Sequence, residues 1–219
     1  MTSLTLVIGN KNYSSWSLRP WLAMKQFDLP FTEIRIPLYS PEATDQIRQL
    51  CPQGNGKVPI LIHESRIVWD SLAIFEYLTE MFPERSWWSG TYTARAVARS
   101  ICAEMHSGFL ALRHHLPMNC RAHLPGRNFG SEVQNDIDRI TTIWRDCRQA
   151  YGGRDPFLFG RFTIADAMFA PVVLRFRTYG IALDTTCQAY SDAIVALPAL
   201  QEWLQSATAE TETIPTFEQ

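Results

Sequence analysis

The sequence predicts an α/β domain of order βαβαββα followed by an all-α domain. Over about the first 80 residues, short apolar runs bounded by turn residues alternate with segments of helical periodicity. A segment with one proline and two tryptophans, residues 82–91, comes next, and beyond it apolar residues recur at helical spacing. The predicted division is a domain at residues 1–82, a linker at 83–91 and a helical domain at 92–219.

The first two predicted elements are a buried strand at Leu4–Ile8 and a helix whose start is marked by serines. Pro20 fits the first turn of that helix, where the missing backbone N–H costs little. The helix is therefore expected to begin close to Ser14, Ser15 and Ser17.

Two further units complete the N-terminal domain. Residues 31–36 alternate apolar and charged side chains as a strand does, and a short helix containing Ile47 follows Pro41. The strand, helix, strand order favours parallel pairing of the first two strands. Apolar runs at 58–63 and 67–69 have the spacing of an antiparallel hairpin.

Two special residues flank this hairpin. Pro59 lies inside an apolar run, where a proline removes a ladder hydrogen bond. A cis Val58–Pro59 bond would turn the backbone and present the N–H and C=O of Val58 to a ligand, whereas a trans proline at a strand start fits equally well. After the hairpin, Asp70 is expected to cap a helix that carries Leu72 and Phe75.

The second half of the chain contains four predicted helical segments, at residues 93–115, 132–150, 163–179 and 191–207. Pro198 is expected to split or kink the last of them, because proline cannot donate the hydrogen bond of a helix interior.

The composition argues against several classes of protein. A formal net charge of -2 gives no concentrated basic surface for a nucleic acid. No run of about 18 apolar residues is present to span a bilayer, and the first residues do not have the pattern of a secretion signal. The sequence therefore predicts a cytoplasmic protein with neither a membrane nor a nucleic acid as partner.

Cysteine and histidine give no metal or redox signature. The cysteines, 5 in number, form no CxxC pair, so reduced thiols are expected and dithiol redox chemistry is not. His114, His115, Cys120 and His123 lie close together, but their spacing matches no strong zinc motif, and hydrogen bonding between helices explains them better. No metal is expected, and no GxSxG, P-loop or GxGxxG motif is present.

Four motifs resemble, in the right order, those of the glutathione transferase superfamily: Ser14-Ser15-Trp16-Ser17, Lys57-Val58-Pro59, Asp70-Ser71 and the segment 159–166. The resemblance covers essentially the whole chain. It implies a thioredoxin-like N-terminal domain, the all-helical C-terminal domain of this superfamily, and a homodimer. In the last motif, Thr163 and Asp166 can form a capping box, which is a signal for folding rather than for chemistry.

The resemblance also implies a glutathione site. The Asp70 carboxylate would receive the ammonium of the γ-glutamyl end, while the Ser71 hydroxyl and helix N-terminal N–H groups would receive its carboxylate. The loop at Pro59 would pair with the cysteinyl backbone like an added strand. The glutathione-binding residues implied in this way are Ser14, Lys57, Val58, Pro59, Asp70 and Ser71.

The predicted chemistry concerns the glutathione thiol, which is mostly protonated at neutral pH because an unperturbed thiol has a pKa of about 8.5. A serine hydroxyl that donates to the sulfur, close to a helix N-terminus, favours the thiolate. An ungapped comparison with the zeta-like pattern SSCSWRVR places Ser14 on the catalytic serine. Ser15 is the alternative, Tyr13 is a weaker one, and the serines could also serve only as helix caps.

The second substrate is expected to be a small apolar electrophile, held by family analogy against Trp16, Leu38, Met105 and Phe109. A zeta-like maleylacetoacetate isomerase and a noncatalytic glutathione-binding protein are the alternative functions. The stretch 51–56 is longer than the family's common form, so this loop is expected to differ. A single cysteine there, Cys51, is more often inert than reactive.

Overall fold

The structure is a computed structural model that describes residues 3–218. Its strands are β1 (Leu4–Ile8), β2 (Thr32–Arg35), β3 (Ile60–His63) and β4 (Arg66–Trp69). Its helices are α1 (Ser15–Gln26), α2 (Ala43–Leu50), α3 (Ser71–Met81), α4 (Tyr92–Ser107), α5 (Leu110–His115), α6 (Ser131–Tyr151), α7 (Ile164–Tyr179), α8 (Thr185–Val195) and α9 (Pro198–Ala209). In the described part of the chain, no helix is both long enough and apolar enough to cross a membrane.

The four strands form one mixed sheet in the order β2-β1-β3-β4. β1 is parallel to β2, with Val7 opposite Ile34, and antiparallel to β3, with Leu6 opposite Leu61. β3 and β4 form the antiparallel hairpin. These pairings confirm the predicted βαβαββα order and the thioredoxin-like architecture of the N-terminal part.

Helices bury both faces of the sheet at its central strands β1 and β3, whereas the edge strand β2 is exposed. Leu6 and Ile8 of β1 face a large core that also contains residues of α1 and α3, whereas Val7 faces a smaller core with Ile47 of α2. Successive side chains of a strand point to opposite faces, so the continuous apolar run of β1 fills both cores.

α7 joins the two parts of the chain, since it is almost completely buried and packs against both α1 and α4. A capping box begins this helix: one carboxylate oxygen of Asp166 accepts hydrogen bonds from the backbone N–H of Thr163 at 2.7 Å and from its hydroxyl at 3.0 Å. The predicted helix start is confirmed.

The position of Pro20 differs from the prediction. The Ser14 hydroxyl accepts from the Ser17 N–H at 3.4 Å, so α1 begins at Ser15 and Pro20 lies inside the helix rather than in its first turn. The missing N–H of Pro20 removes the hydrogen bond that would reach the carbonyl of Trp16.

The predicted helix 93–115 is divided into α4 and α5 at Gly108 and Phe109. Phe109 has a φ of 58°, which no helix interior allows. A Cβ at position 108 would lie 2.9 Å from the carbonyl oxygen of Glu104, so only glycine fits this end of α4. The predicted split at Pro198 is confirmed, because α8 ends at Val195 and α9 begins at the proline.

Candidate functional site

A cleft lies between the edge of the sheet and the helical part of the chain. It consists of a cavity of about 500 Å³ and a second one of about 190 Å³. Both are lined by Trp16, Lys57 and Val58, so the two cavities adjoin at these residues. The smaller one reaches the start of α3, and the larger one reaches the first turn of α1.

The smaller cavity brings together most of the predicted glutathione-binding residues: Lys57, Val58, Pro59, Asp70 and Ser71. The Val58–Pro59 bond is cis, which decides between the two readings of the sequence. The Ser71 hydroxyl is fully buried and has no hydrogen-bond partner among residues 3–218. A buried hydroxyl without a partner is costly unless a ligand completes it.

Asp70 is held in an unusual conformation beside this serine. Its φ of 77° is rare for a residue other than glycine, and such conformations cluster at ligand clamps. One carboxylate oxygen accepts from the N–H of Leu72 at 2.9 Å, which confirms the predicted cap of α3. The other lies 3.2 Å from Nε2 of His106, a residue of α4 that the sequence analysis missed.

Ser14 and Ser17 form a hydroxyl pair at the start of α1. Their oxygens are 2.7 Å apart, and the Ser17 oxygen accepts from the N–H of Gly9 at 3.0 Å. When Ser17 donates its proton to Ser14, the O–H of Ser14 remains available as a donor. Ser14 lines the larger cavity, so that proton can be directed into the cleft.

Ser15 and Tyr13 also line the larger cavity, but other residues engage their hydroxyls. The oxygen of Ser15 accepts from Arg175 at 3.3 Å. The Tyr13 oxygen accepts from Arg121 at 2.8 Å and from the N–H of Ile214 at 3.3 Å. The Tyr13 O–H donates to the carboxylate of Glu218. Tyr13 is therefore engaged as both donor and acceptor, whereas Ser14 and Ser15 each keep an O–H that can be directed into the cleft.

Three arginines surround this first turn. Arg113 and Arg175 line the larger cavity, and Arg19 is fully buried with no hydrogen-bond partner for its guanidinium in the described region. Burial, with repulsion from Arg113, lowers the pKa of Arg175 to about 9. Arginine side chains keep their charge in proteins. The cluster therefore places positive potential at the first turn of α1, where it favours an anionic group.

The sequence analysis also missed these arginines. In α7, apolar residues 167–174 precede Arg175 and Phe176 follows it, so Arg175 could have been noticed as the single cation of this stretch. Arg113 is fixed by its bonds to two carbonyl groups at the end of α4, those of Gly108 at 2.9 Å and of Met105. Arg113 is far in sequence from the first turn of α1, so no local pattern could indicate that the two lie close together.

The predicted electrophile site is only partly assembled. Trp16 and Leu38 line the larger cavity. Met105 and Phe109 line neither cavity and are buried in the core. Their places on the cleft wall are taken by residues outside the prediction, namely Tyr39, Arg113, Met118, Arg175 and Phe217.

Two further sequence readings concern metals and thiols. Within residues 3–218, no group of three or more His, Cys, Asp or Glu side chains is arranged to hold a metal ion. Burial raises the pKa of the Cys51 thiol, and only 1% of this residue is exposed. Neither property favours a reactive thiolate at Cys51.

A thioredoxin-like domain with a cis-proline loop, joined to a helical domain across a cleft, defines the class of glutathione-dependent transferase folds. Residues 13–81 match the family model described as glutathione S-transferase, N-terminal domain, and residues 98–206 match glutathione S-transferase, C-terminal domain. The chain belongs to the glutathione transferase superfamily.

Individual relatives agree with this assignment. A "Probable maleylacetoacetate isomerase" of Caenorhabditis elegans is 26% identical over 193 residues, which cover 84% of this chain and 85% of that protein. A glutathione transferase homologue from Burkholderia gl BGR1, solved with bound glutathione, has a TM-score of 0.70 at 23% identity, with 95% of this chain and 100% of that chain covered. The Tau class glutathione S-transferase of mango, Mangifera indica, also reaches 0.70, at 16% identity over 94% and 96% of the two chains. At these identities, the structural matches establish the fold.

Proposed function

We propose that this chain is a glutathione transferase in which the Ser14 hydroxyl stabilises the glutathione thiolate for attack on a small electrophile. One observation carries the proposal. At one end of the cleft, beside Asp70, lies the buried hydroxyl of Ser71, which has no hydrogen-bond partner in the described part of the chain, and Ser14 lies in the adjoining cavity.

This arrangement suits the parts of glutathione in order. The γ-glutamyl ammonium would meet the Asp70 carboxylate, and its carboxylate would accept hydrogen bonds from Ser71 and the N-terminal N–H groups of α3. The backbone of Val58, next to the cis bond, would pair with the cysteinyl residue, with Lys57 close by. The thiol would then reach Ser14.

The first turn of α1 would favour ionisation of the glutathione thiol. The thiol proton leaves to water, while Ser14 donates a hydrogen bond to the sulfur and the positive potential of Arg113 and Arg175 lowers the thiol pKa. The thiolate then forms a bond to the electrophilic carbon, and the displaced electron pair leaves with a group such as halide or, in an addition to a conjugated double bond, moves to the activating carbonyl and is protonated by water. Leu38, Met118 and Phe217 supply apolar surface for that second substrate.

A second candidate is the isomerisation of maleylacetoacetate. It is favoured by the relative in Caenorhabditis elegans and by Arg113 and Arg175, because guanidinium groups on the cavity wall suit an acceptor that carries carboxylates. In this reaction, the thiolate would add to the double bond and leave again after rotation.

Three further expectations have separate grounds, since the homodimer comes from the family, whereas the location and the domain division come from the sequence. We propose a homodimer, a cytoplasmic location, and the division into residues 1–82 and 92–219 with a linker at 83–91. That linker region begins with a 3-10 turn at Pro83–Arg85, and the backbone of Trp87 accepts a hydrogen bond from Ile164 at 3.0 Å.

The test compares Ser14→Ala with its neighbour Ser15→Ala and the parent protein. The pH dependence of thiolate absorbance from bound glutathione and turnover of aryl halides and maleylacetoacetate are measured. We expect Ser14→Ala to raise the thiol pKa by about one unit or more while binding persists. Full activity in Ser14→Ala would refute the role of this residue. If the parent protein binds glutathione but shows neither thiolate absorbance nor turnover, it is a noncatalytic binding protein.

A further inference from the structure

His106 reaches Asp70 from the helical part of the chain. Its Nε2 lies 3.2 Å from the carboxylate, and its ring packs against the Trp16 ring in a T-shaped arrangement with the two ring centres 5.2 Å apart. The imidazole lines neither cavity and touches the candidate glutathione site through these two residues.

The surroundings of the imidazole assign its protonation state. Its Nδ1 is buried without a hydrogen-bond partner in the described region, and a protonated ring would bury an unpaired N–H there. Burial lowers the pKa of His106, the charges of Arg19 and Arg113 lower it further, and Asp70 opposes them. His106 is therefore a neutral ring whose Nε2–H donates to the carboxylate.

A neutral donor leaves the negative charge of Asp70 uncompensated. One oxygen of this carboxylate accepts from Leu72 at 2.9 Å and the other from His106, and each keeps a second lone pair. The carboxylate is thus fixed in one orientation. Its side chain is 43% exposed and lines the smaller cavity, where an ammonium group can approach it.

We propose that His106 is a positioning residue that orients Asp70 and thereby sets the affinity for the ammonium group of the γ-glutamyl end of glutathione. The inference rests on the proposed function, because it assumes that glutathione occupies the cleft. A cationic residue at position 106 would neutralise the carboxylate, and an apolar residue would release it. A neutral N–H donor does neither.

The experiment is a calorimetric titration of the full chain with glutathione and with an analogue in which hydrogen replaces the γ-glutamyl amino group. The variants are His106→Leu, which removes the donor, and the pair His106→Gln and His106→Asn. The amide nitrogen of glutamine can occupy the place of Nε2, whereas that of asparagine corresponds to Nδ1. The Gln and Asn pair decides the question even when the Leu variant does not fold.

We expect His106→Leu and His106→Asn to bind glutathione about tenfold more weakly than the parent protein, the effect of one charge-assisted hydrogen bond. His106→Gln should restore the affinity, and all four proteins should bind the analogue equally. Unchanged affinity in the Leu and Asn variants, or equal losses for both ligands, would overturn the inference alone. A parent protein that binds no glutathione would overturn the proposed function and this inference together.

Discussion

The guanidinium carbon of Arg19 lies 4.2 Å from the centre of the Trp16 ring, and this contact takes the place of hydrogen bonds, of which this fully buried cation has none within residues 3–218. A second guanidinium, that of Arg113, lies 4.8 Å from the same ring. The indole forms part of the wall of both cavities. The buried charge therefore holds the residue at which the two cavities adjoin.

Replacing Arg19 should separate stability from activity. A buried, unpaired charge is costly, and apolar replacement of buried ions is often neutral or stabilising by about 1–4 kcal/mol. We expect Arg19→Met to leave the free energy of unfolding unchanged or higher, while glutathione turnover falls because Trp16 loses its support. Denaturant unfolding and steady-state kinetics measure the two effects, with exposed Arg66→Met as the control. Lower stability together with normal turnover would contradict this prediction.

The end of α4 offers a packing test. In Gly108→Ala the new Cβ would meet the carbonyl oxygen of Glu104 at 2.9 Å, so the backbone must shift. We expect a loss of about 1–3 kcal/mol of unfolding free energy, the usual cost of forced overpacking. Gly90→Ala is the matched control, because nothing lies within 4 Å of its added Cβ. Equal stability of the two variants in urea would refute the steric argument.

The stability that the N-terminal cap of α8 contributes should depend on pH. Asp184 accepts from the N–H groups of Thr186 at 2.9 Å and Cys187 at 3.0 Å, and these bonds, with Arg145, lower its pKa to about 2. A lowered pKa contributes stability above the unfolded value near 3.9, and this contribution disappears as pH falls through about 2.

We therefore expect Asp184→Ala to lose about 1 kcal/mol at neutral pH, as other capping residues do, and progressively less below pH 4. Urea unfolding as a function of pH measures this loss of unfolding free energy. Asp155→Ala, at an exposed position, serves as the control. A difference between Asp184→Ala and the parent protein that stays constant down to pH 2 would rule out the ionic part of the cap.

The contribution of Asp166 to stability should depend on pH in the opposite direction from that of Asp184. Burial raises its pKa to about 6, although hydrogen bonds from Leu158 and Thr163 oppose the shift. A raised pKa means that the folded protein takes up a proton between about pH 4 and 6 that the unfolded chain does not, so this contribution to stability is lost as pH rises through 6.

Asp166→Asn removes that titration and also loses an acceptor of the capping box. We expect lower stability at every pH and a flatter stability profile between about pH 4 and 6 than in the parent protein. Thermal unfolding across this range provides the measurement. An unchanged slope would show that Asp166 does not titrate there.

Local patterns in the sequence were sufficient for the sheet and for the starts of α3 and α7, because caps and periodicity are properties of neighbouring residues. The residues of the smaller cavity came instead from the resemblance to the superfamily, which implied Lys57, Val58, Pro59, Asp70 and Ser71 but did not assign Trp16 and Asn55 to this site. Of the larger cavity, the sequence analysis named the first turn of α1 and Leu38 but not the rest of the wall. His106, Arg113 and Phe217 join it or its border from positions far along the chain, and only the packing of α4, α7 and the C-terminal segment brings them there.

The hydrogen bonds that Tyr13 makes with Ile214 and Glu218 have a consequence for biosynthesis. The sheet and α1 are translated first, whereas Phe217, which forms part of the cavity wall beside Tyr13, is translated after α9. Since domains fold in order during synthesis, a nascent chain can form its thioredoxin-like part early, yet its cleft stays open on one side until residue 217 has left the ribosome.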